Sequence, residues 1–329
     1  YYYKNLITTQ KTLKFNNNCM FSVIFPGQGS QSVGMAKGLY DNFTYVKDLF
    51  KTADEALGYS ISKKILEGPK EDLDLTENTQ PAIFLASYSI FEMAKKEGNI
   101  NLNSAKYFAG HSLGEYSALA ACGALDFIST IKLLHERGKA MQTAVPKGAG
   151  GMLAVLGVEI NEIHNLLEEN KNYCKCYIAN DNSNGQIVLS GLNSDIDKFI
   201  DILKVKKIKN IKLPVSAPFH SILMDKATSI MRDKITNANF EKPKNAIISN
   251  VTGSETQEIE KIKGLLIKQI ESPVRWRESV IYMIKHGVTN FIEIGPGKVL
   301  SGLLKRIDKT IKVNSINKIE DLKDIKLND

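Results

Sequence analysis

Cysteine is scarce, with four residues in 329, at positions 19, 122, 174 and 176. That is too few for a disulfide framework in a chain of this length. Cys174-x-Cys176 lacks the two-residue gap of a zinc knuckle or redox motif, and no histidine pair completes a metal site. The expectation is therefore a reducing compartment and no structural metal. Long apolar runs are missing as well. No stretch approaches ~18 consecutive apolar residues, so the chain offers no membrane-spanning helix. Acid is absent from the first forty positions: the first carboxylate is Asp41, whereas the first 20 residues carry three lysines. No secretory apolar segment follows them. A basic, acid-poor start has the composition of an organelle transit peptide. Residues 1–19 are read either as such an extension or as a disordered tail; the first reading points to the stroma of a plastid-type organelle, with the cytoplasm as the alternative.

What is present is ordinary for a globular chain: 43% hydrophobic and 24% charged residues, and enough length for a large core and two folding units. The net charge of +7 suits an acidic partner. The densest basic run is "KVKKIKNIK", 204–212, with five lysines and no acid. Neither nucleic acid nor membrane is expected as a partner, and a monomer is.

"FSVIF", 21–25, reads as a short buried strand running into a glycine-bearing loop, "PGQGSQ". Helical stretches follow to about residue 98, including 80–96 with Pro81 in its first turn. "AKYFAG" is a second buried strand, and "LGEYSALAA" continues past Ser112 as helix. Asp126 is an N-cap for a helix whose apolar residues recur at 127, 131, 134, 141 and 145. Arg137 falls on that apolar stripe, where an unpaired charge costs several kcal/mol. After "PKGAGG" the chain reads strand (152–158), helix (160–169), strand (175–180), strand (185–190), helix (193–203), strand (208–213). This is the ferredoxin-like βαββαβ order. The main unit resumes near Pro214 with strands at 246–251 and 289–295, a helix around 277–286, and a last helix after "PGKV". The expected fold is α/β: a mainly parallel sheet core in a discontinuous large domain, 20–147 and 214–316, with an inserted small domain, 148–213, and a charged tail, 317–329.

Gly110-His111-Ser112-Leu113-Gly114 places a serine between glycines at a strand-to-helix junction. Such an elbow exposes a hydroxyl at the N-terminus of a helix, where N–H groups and the helix dipole favour an oxyanion. A serine needs a base to become a nucleophile. Of the five histidines, His220 stands in the Pro-punctuated segment where the chain re-enters the large domain, with His286 as second candidate. The acceptor that orients the base lies within either 268–276 or 292–297, and spacing does not choose between them.

"FPGQGSQ", "GHSLGEYSALAACGAL", "RGKAMQTAVP", "APFHS", "ESPVRW" with "SVIYM", and "FIEIGPGKVLSGL" occur in this order from about residue 20 to about 315. Together they resemble the malonyl-CoA:acyl carrier protein transacylases of type II fatty acid synthesis. The resemblance implies that Ser112 is the nucleophile and His220 its base, with the histidine steadied by the backbone carbonyl of Gln269. It implies an oxyanion hole from the backbone N–H groups of Gln28 and Leu113, and pairing of Arg137 with the malonyl carboxylate. Phe219 resembles the malonyl-selective version of its segment. Asn180 and Asn182 fall on a loop facing the cleft, although "NDNSNGQ" departs from the family pattern at Asp181 and Asn184. The implied substrates are malonyl-CoA and phosphopantetheinylated acyl carrier protein, an acidic partner, with no bound cofactor. Two other readings are a serine hydrolase or thioesterase of related fold, and a non-catalytic carrier-protein-binding module. The first of these wants a carboxylate on the histidine and an HGGG- or DGG-type motif, which this sequence lacks.

Overall fold

The computed structural model describes residues 20–215 and 217–325. The basic extension 1–19, with Cys19, and the last four residues of the expected tail lie outside the described residues. Among those described, the strands in chain order are β1 (Phe21–Phe25), β2 (Tyr107–Gly110), β3 (Gly150–Leu156), β4 (Cys176–Ser183), β5 (Gln186–Leu192), β6 (Lys209–Lys212), β7 (Ala246–Ile248), β8 (Glu255–Thr256), β9 (Asn290–Ile294) and β10 (Lys312–Ile316). They form a six-stranded sheet, β10-β9-β1-β2-β7-β8, and a four-stranded sheet, β4-β5-β3-β6.

The large sheet is parallel from β10 to β7, and only the two-residue β8 runs antiparallel. Both of its faces are covered, and the two-residue period of the strands shows how. Val23 and Phe25 of β1 and Phe108 of β2 enter one core, while Ile24, Tyr107 and Ala109 enter the other. Helices Thr76–Glu97 and Leu113–Ala121 cover the first face, with Phe127–Thr143 packed on those two; Trp276–Lys285 and Val299–Ile307 cover the second.

Strand, helix, strand, strand, helix, strand is also the order observed over residues 150–212, with helices Ile160–Glu169 and Asn193–Val205. This sheet is antiparallel. Leu153, Val155, Ile187 and Leu189 pack on its own two helices, whereas Met152, Ala154 and Val188 turn toward the main core. The small sheet therefore lies face-on against the large unit, and β4 pairs with it at Val274.

Three local expectations are revised. The helix holding Pro81 starts at Thr76, so the proline lies in the second turn. It is tolerated there because the carbonyl it leaves without an N–H donor, that of Glu77, accepts from His135 Nδ1 at 3.0 Å. The strand expected over 246–251 ends at Ile248, and the chain then turns so that Asn250 enters the site. β10 had no counterpart in the sequence reading: its Lys312–Ile316 pattern is half exposed and lacks a continuous apolar run.

Candidate active site

β2 ends at Gly110, and the helix Leu113–Ala121 begins three residues later. Between them Ser112 has φ 55° and ψ −110°, a conformation few non-glycine residues adopt, at a cost of order 1–3 kcal/mol. The turn is tight because a Cβ on Gly110 would lie 1.9 Å from the Gly114 carbonyl group, and one on Gly114 would lie 2.4 Å from the Phe25 oxygen. Asn250 Oδ1 accepts from the Ser112 backbone N–H at 2.8 Å, and Asn250 Nδ2 donates to the Gly110 oxygen at 2.8 Å. The strained residue is thus clamped from both sides.

The structure brings His220 to Ser112. The serine Oγ–H donates to His220 Nε2 at 2.8 Å, and the other ring nitrogen, Nδ1, donates to the backbone oxygen of Gln269 at 2.8 Å. That second bond selects the tautomer whose Nε2 is free to accept. His220 is buried and itself has φ 55°. Burial, followed by the positive charge of Arg137, pushes its pKa down to about 3. The ring is neutral at neutral pH, as a base must be. His286, the second candidate, lies at the end of another helix, its Nδ1 bonded to the Tyr282 oxygen.

Arg137 is fully buried. Nη1 donates to Gln80 Oε1 at 2.8 Å; Nη2 donates to Gln269 Oε1 at 2.9 Å and to Ser112 Oγ at 3.1 Å. Its Nε–H is buried with no acceptor. The Tyr116 ring centre lies 5.5 Å from its Cζ. Burial pulls the guanidinium below its usual pKa range, and Tyr116 and Glu115 act against that pull. The approach of this helix depends on Gly138, where a Cβ would meet the Thr76 oxygen at 2.4 Å.

Leu113, as the first residue of its helix, has a backbone N–H with no acceptor one turn back. Gln28 lies on the loop after β1. Gly27 brings that loop to the elbow so closely that a Cβ there would sit 2.5 Å from the His111 oxygen. Asn182 Oδ1 accepts from His111 Nε2 at 2.8 Å, and the His111 ring packs 5.8 Å from that of Trp276. Asn180 is buried and pairs with Val274 across the two units. Asp181, where the sequence departs from the family pattern, forms an ion pair with Arg277, its Oδ2 2.8 Å from Nη2. Phe219 is buried in the main core and its carbonyl accepts from Ser190 Oγ at 2.5 Å.

Sequence reasoning missed four residues that the site uses: Gln80, Glu115, Asn250 and His111 as a partner of Asn182. One signal was available. Glu115 is a charged residue in the largely apolar helix Leu113–Ala121, the same oddity that marked Arg137, whereas Gln80 closes the polar run "TENTQ" and carries no such mark. Among the described residues no cluster of His, Cys, Asp or Glu is placed to hold a metal.

The acyl transferase domain family matches residues 22–323. The malonyl CoA-acyl carrier protein transacylase of Bacillus subtilis is 41% identical over 298 residues, 89% of this chain and 92% of its own length. The protein of the same name from Escherichia coli K12 is 37% identical and covers 90% and 96%. Among solved structures, the malonyl CoA-acyl carrier protein transacylase of Coxiella burnetii superposes with a TM-score of 0.90 at 36% identity, covering 94% and 98% of the two chains. A malonyl-transacylase solved in complex with a type II PKS acyl-carrier protein gives 0.87 at 37% identity, covering 92% and 98%.

Proposed function

Since the chain belongs to the acyl transferase domain family, together with the malonyl CoA-acyl carrier protein transacylases, we propose that it moves a malonyl group from malonyl-CoA to the phosphopantetheine thiol of acyl carrier protein, through an ester on Ser112. The observation that carries this reading is the convergence on one hydroxyl of a neutral, carbonyl-anchored histidine and a buried arginine.

In this mechanism the malonyl carboxylate meets Arg137, whose planar fork matches a carboxylate in a way that lysine cannot copy. Ser112 Oγ attacks the thioester carbon while His220 Nε2 takes its proton. The oxyanion forms against the backbone N–H groups of Gln28 and Leu113, where loss of one such donor costs about 10²–10³ in rate. The intermediate collapses, the C–S bond breaks, and the CoA thiolate receives the proton from His220. The carrier thiol then enters, gives its proton to His220 and attacks the ester; Ser112 Oγ leaves and is reprotonated. An ester and two thioesters are exchanged, so no electron acceptor or donor takes part. An acetyl group leaves the guanidinium without its partner, which makes Arg137 the selector. Asn180, Asn182 and Phe219 line the approach to the acyl group.

A hydrolase reading is disfavoured because His220 is oriented by a carbonyl and an arginine occupies the acyl side. The carrier protein is taken to be acidic, and Lys206 and Lys207 are the proposed contact for it.

The test is intact-protein mass spectrometry after brief exposure to malonyl-CoA, beside acetyl-CoA and a Ser112→Ala variant. A malonyl-sized gain on the wild type alone, discharged by added carrier protein, is expected. Equal labelling by acetyl-CoA would remove Arg137 as selector, and an adduct on Ser112→Ala would remove the serine.

A further inference from the structure

Arg137 carries a buried positive charge with no carboxylate against it. Its side-chain acceptors are Gln80, Gln269 and Ser112, all neutral. Taking an uncompensated charge out of water costs several kcal/mol, so a counter-charge is required from somewhere. The buried carboxylate that acts on it is that of Glu115, at the third position of the elbow helix. Glu115 reaches Arg137 only through another side chain. Gln269 Nε2 donates to Glu115 Oε2 at 2.7 Å, and Gln269 Oε1 accepts from Arg137 Nη2 at 2.9 Å.

An amide has two distinct ends. Reversing this one would set its NH2 against the guanidinium donors and its oxygen against the carboxylate, so the two charges lock its orientation. The same Glu115 oxygen accepts the Asn250 backbone N–H at 3.1 Å, and Asn250 holds the Ser112 N–H. One atom therefore joins the arginine to the elbow. We propose that Glu115 is a positioning residue for acyl-group selection: acting through the Gln269 side-chain amide, it serves as the counter-charge of Arg137 at one remove.

The spacing has a chemical consequence. A carboxylate in direct contact would occupy the guanidinium N–H groups and repel an incoming anion. A wholly neutral surround would leave the charge unopposed. The interposed amide keeps Arg137 charged and aimed while its Nε–H stays unspent. Burial raises the Glu115 pKa to about 7, against the pull of the Asn250 N–H, the Gln269 amide and Arg137, so assays at pH 8 keep it ionised.

This inference rests on the reading that Arg137 pairs with the malonyl carboxylate. It is tested by exchanging the two side chains, Glu115→Gln with Gln269→Glu, which conserves charge and volume but puts the carboxylate against the arginine. The readouts are the KM and kcat for malonyl-CoA and the ratio of malonyl to acetyl labelling of Ser112. The exchange is expected to raise the malonyl-CoA KM at least tenfold, with a smaller change in kcat, and to lower the labelling ratio by a similar factor. A KM and ratio within twofold of wild type would overturn the proposal, because Glu115 would then only balance charge. If the exchanged protein does not fold, Glu115→Asp decides. It withdraws the carboxylate by one methylene and is expected to lower the ratio at least threefold; an unchanged ratio overturns the proposal. Absence of any malonyl adduct on the wild type would instead defeat the transferase reading, so the two failures are distinguishable.

Discussion

His220 shows at the scale of one residue how the site trades stability for chemistry. Unfolded, its imidazole takes a proton near the ordinary value of about 6.5. Folded, burial and then Arg137 delay protonation until about pH 3. Between those values the unfolded chain binds the extra proton, so the contribution of His220 to stability is intact above the unfolded value and lost as pH falls below it. From pH 6.5 to pH 5 the loss is about 2 kcal/mol. A His220→Gln variant is expected to show a smaller fall in Tm between pH 7 and pH 5 than the wild type. Equal falls in the two proteins, measured by thermal denaturation, would mean that the buried ring is not the source. Arg137 was already conspicuous in the sequence as a charge on an apolar stripe. Glu115 bears the same mark, whereas Gln80 ends a polar run and bears none, and nothing local says that three polar residues on three helices meet.

At the scale of the element, the strand-turn-helix around Ser112 is held by excluded volume. Gly110 and Gly114 are required because their α-carbons face backbone, which cannot move aside as a flexible side chain does. Gly110→Ala, with its Cβ 1.9 Å from the Gly114 carbonyl group, is expected to abolish acylation and lower the Tm sharply or prevent folding. Gly264→Ala is the matched control. It lies within helix Ile259–Gln269 with nothing within 4 Å of its would-be Cβ, and it is expected to raise stability by about 0.5–1 kcal/mol. Equal effects of the two substitutions in a denaturation series would contradict the packing argument. The helix Thr76–Glu97 makes the complementary point. Pro81 breaks its internal bonding, and a neighbouring helix repairs the break through His135.

Across the whole molecule, the two sheets meet where the chemistry is. The β4 end is tied to the large unit by reciprocal backbone bonds, Asp181 N–H to the Val274 oxygen at 3.0 Å and Val274 N–H to the Ala179 oxygen at 2.8 Å, and by the Asp181–Arg277 ion pair. These fix the end of β4 against the elbow; Asn180 and Asn182, expected on a loop, lie within that strand because β4 keeps its pairing with β5 as far as Ser183. The far edge of the small sheet is basic. Lys204 and Lys212 are paired with Asp201 and Asp197, which leaves Lys206 and Lys207 at the exposed turn before β6, beside a Val205 that is 84% exposed. Reversing both charges, Lys206→Glu with Lys207→Glu, is expected to raise the KM for carrier protein several-fold and leave that for malonyl-CoA unchanged. If the two constants move together, this edge does not receive the carrier.

The elements and the elbow were legible because each is written within a few neighbouring residues. Examples are a buried run for β1 and β2, the Asp126 cap that accepts from Ser129 N–H, and glycines where a turn leaves no room for a side chain. Motif order likewise carried Ser112, His220 and Arg137. The resemblance also implied that His220 meets Ser112 and the Gln269 carbonyl, but the distances, and every contact of Asn250 and of the Gln269 side chain, were decided by the tertiary structure. His220 reaches Ser112 across 108 positions of chain, Asn250 holds the serine N–H across 138, and Gln269 bonds the histidine with its backbone and the arginine with its side chain. A half-exposed edge strand such as β10 was also decided there, since its apolar period is weak and β9 supplies its hydrogen bonds. The physical reason is the same in each case. Local pattern is set by sterics and solvation of adjacent residues, whereas the partner of a buried polar group is set by closure of the chain around the core.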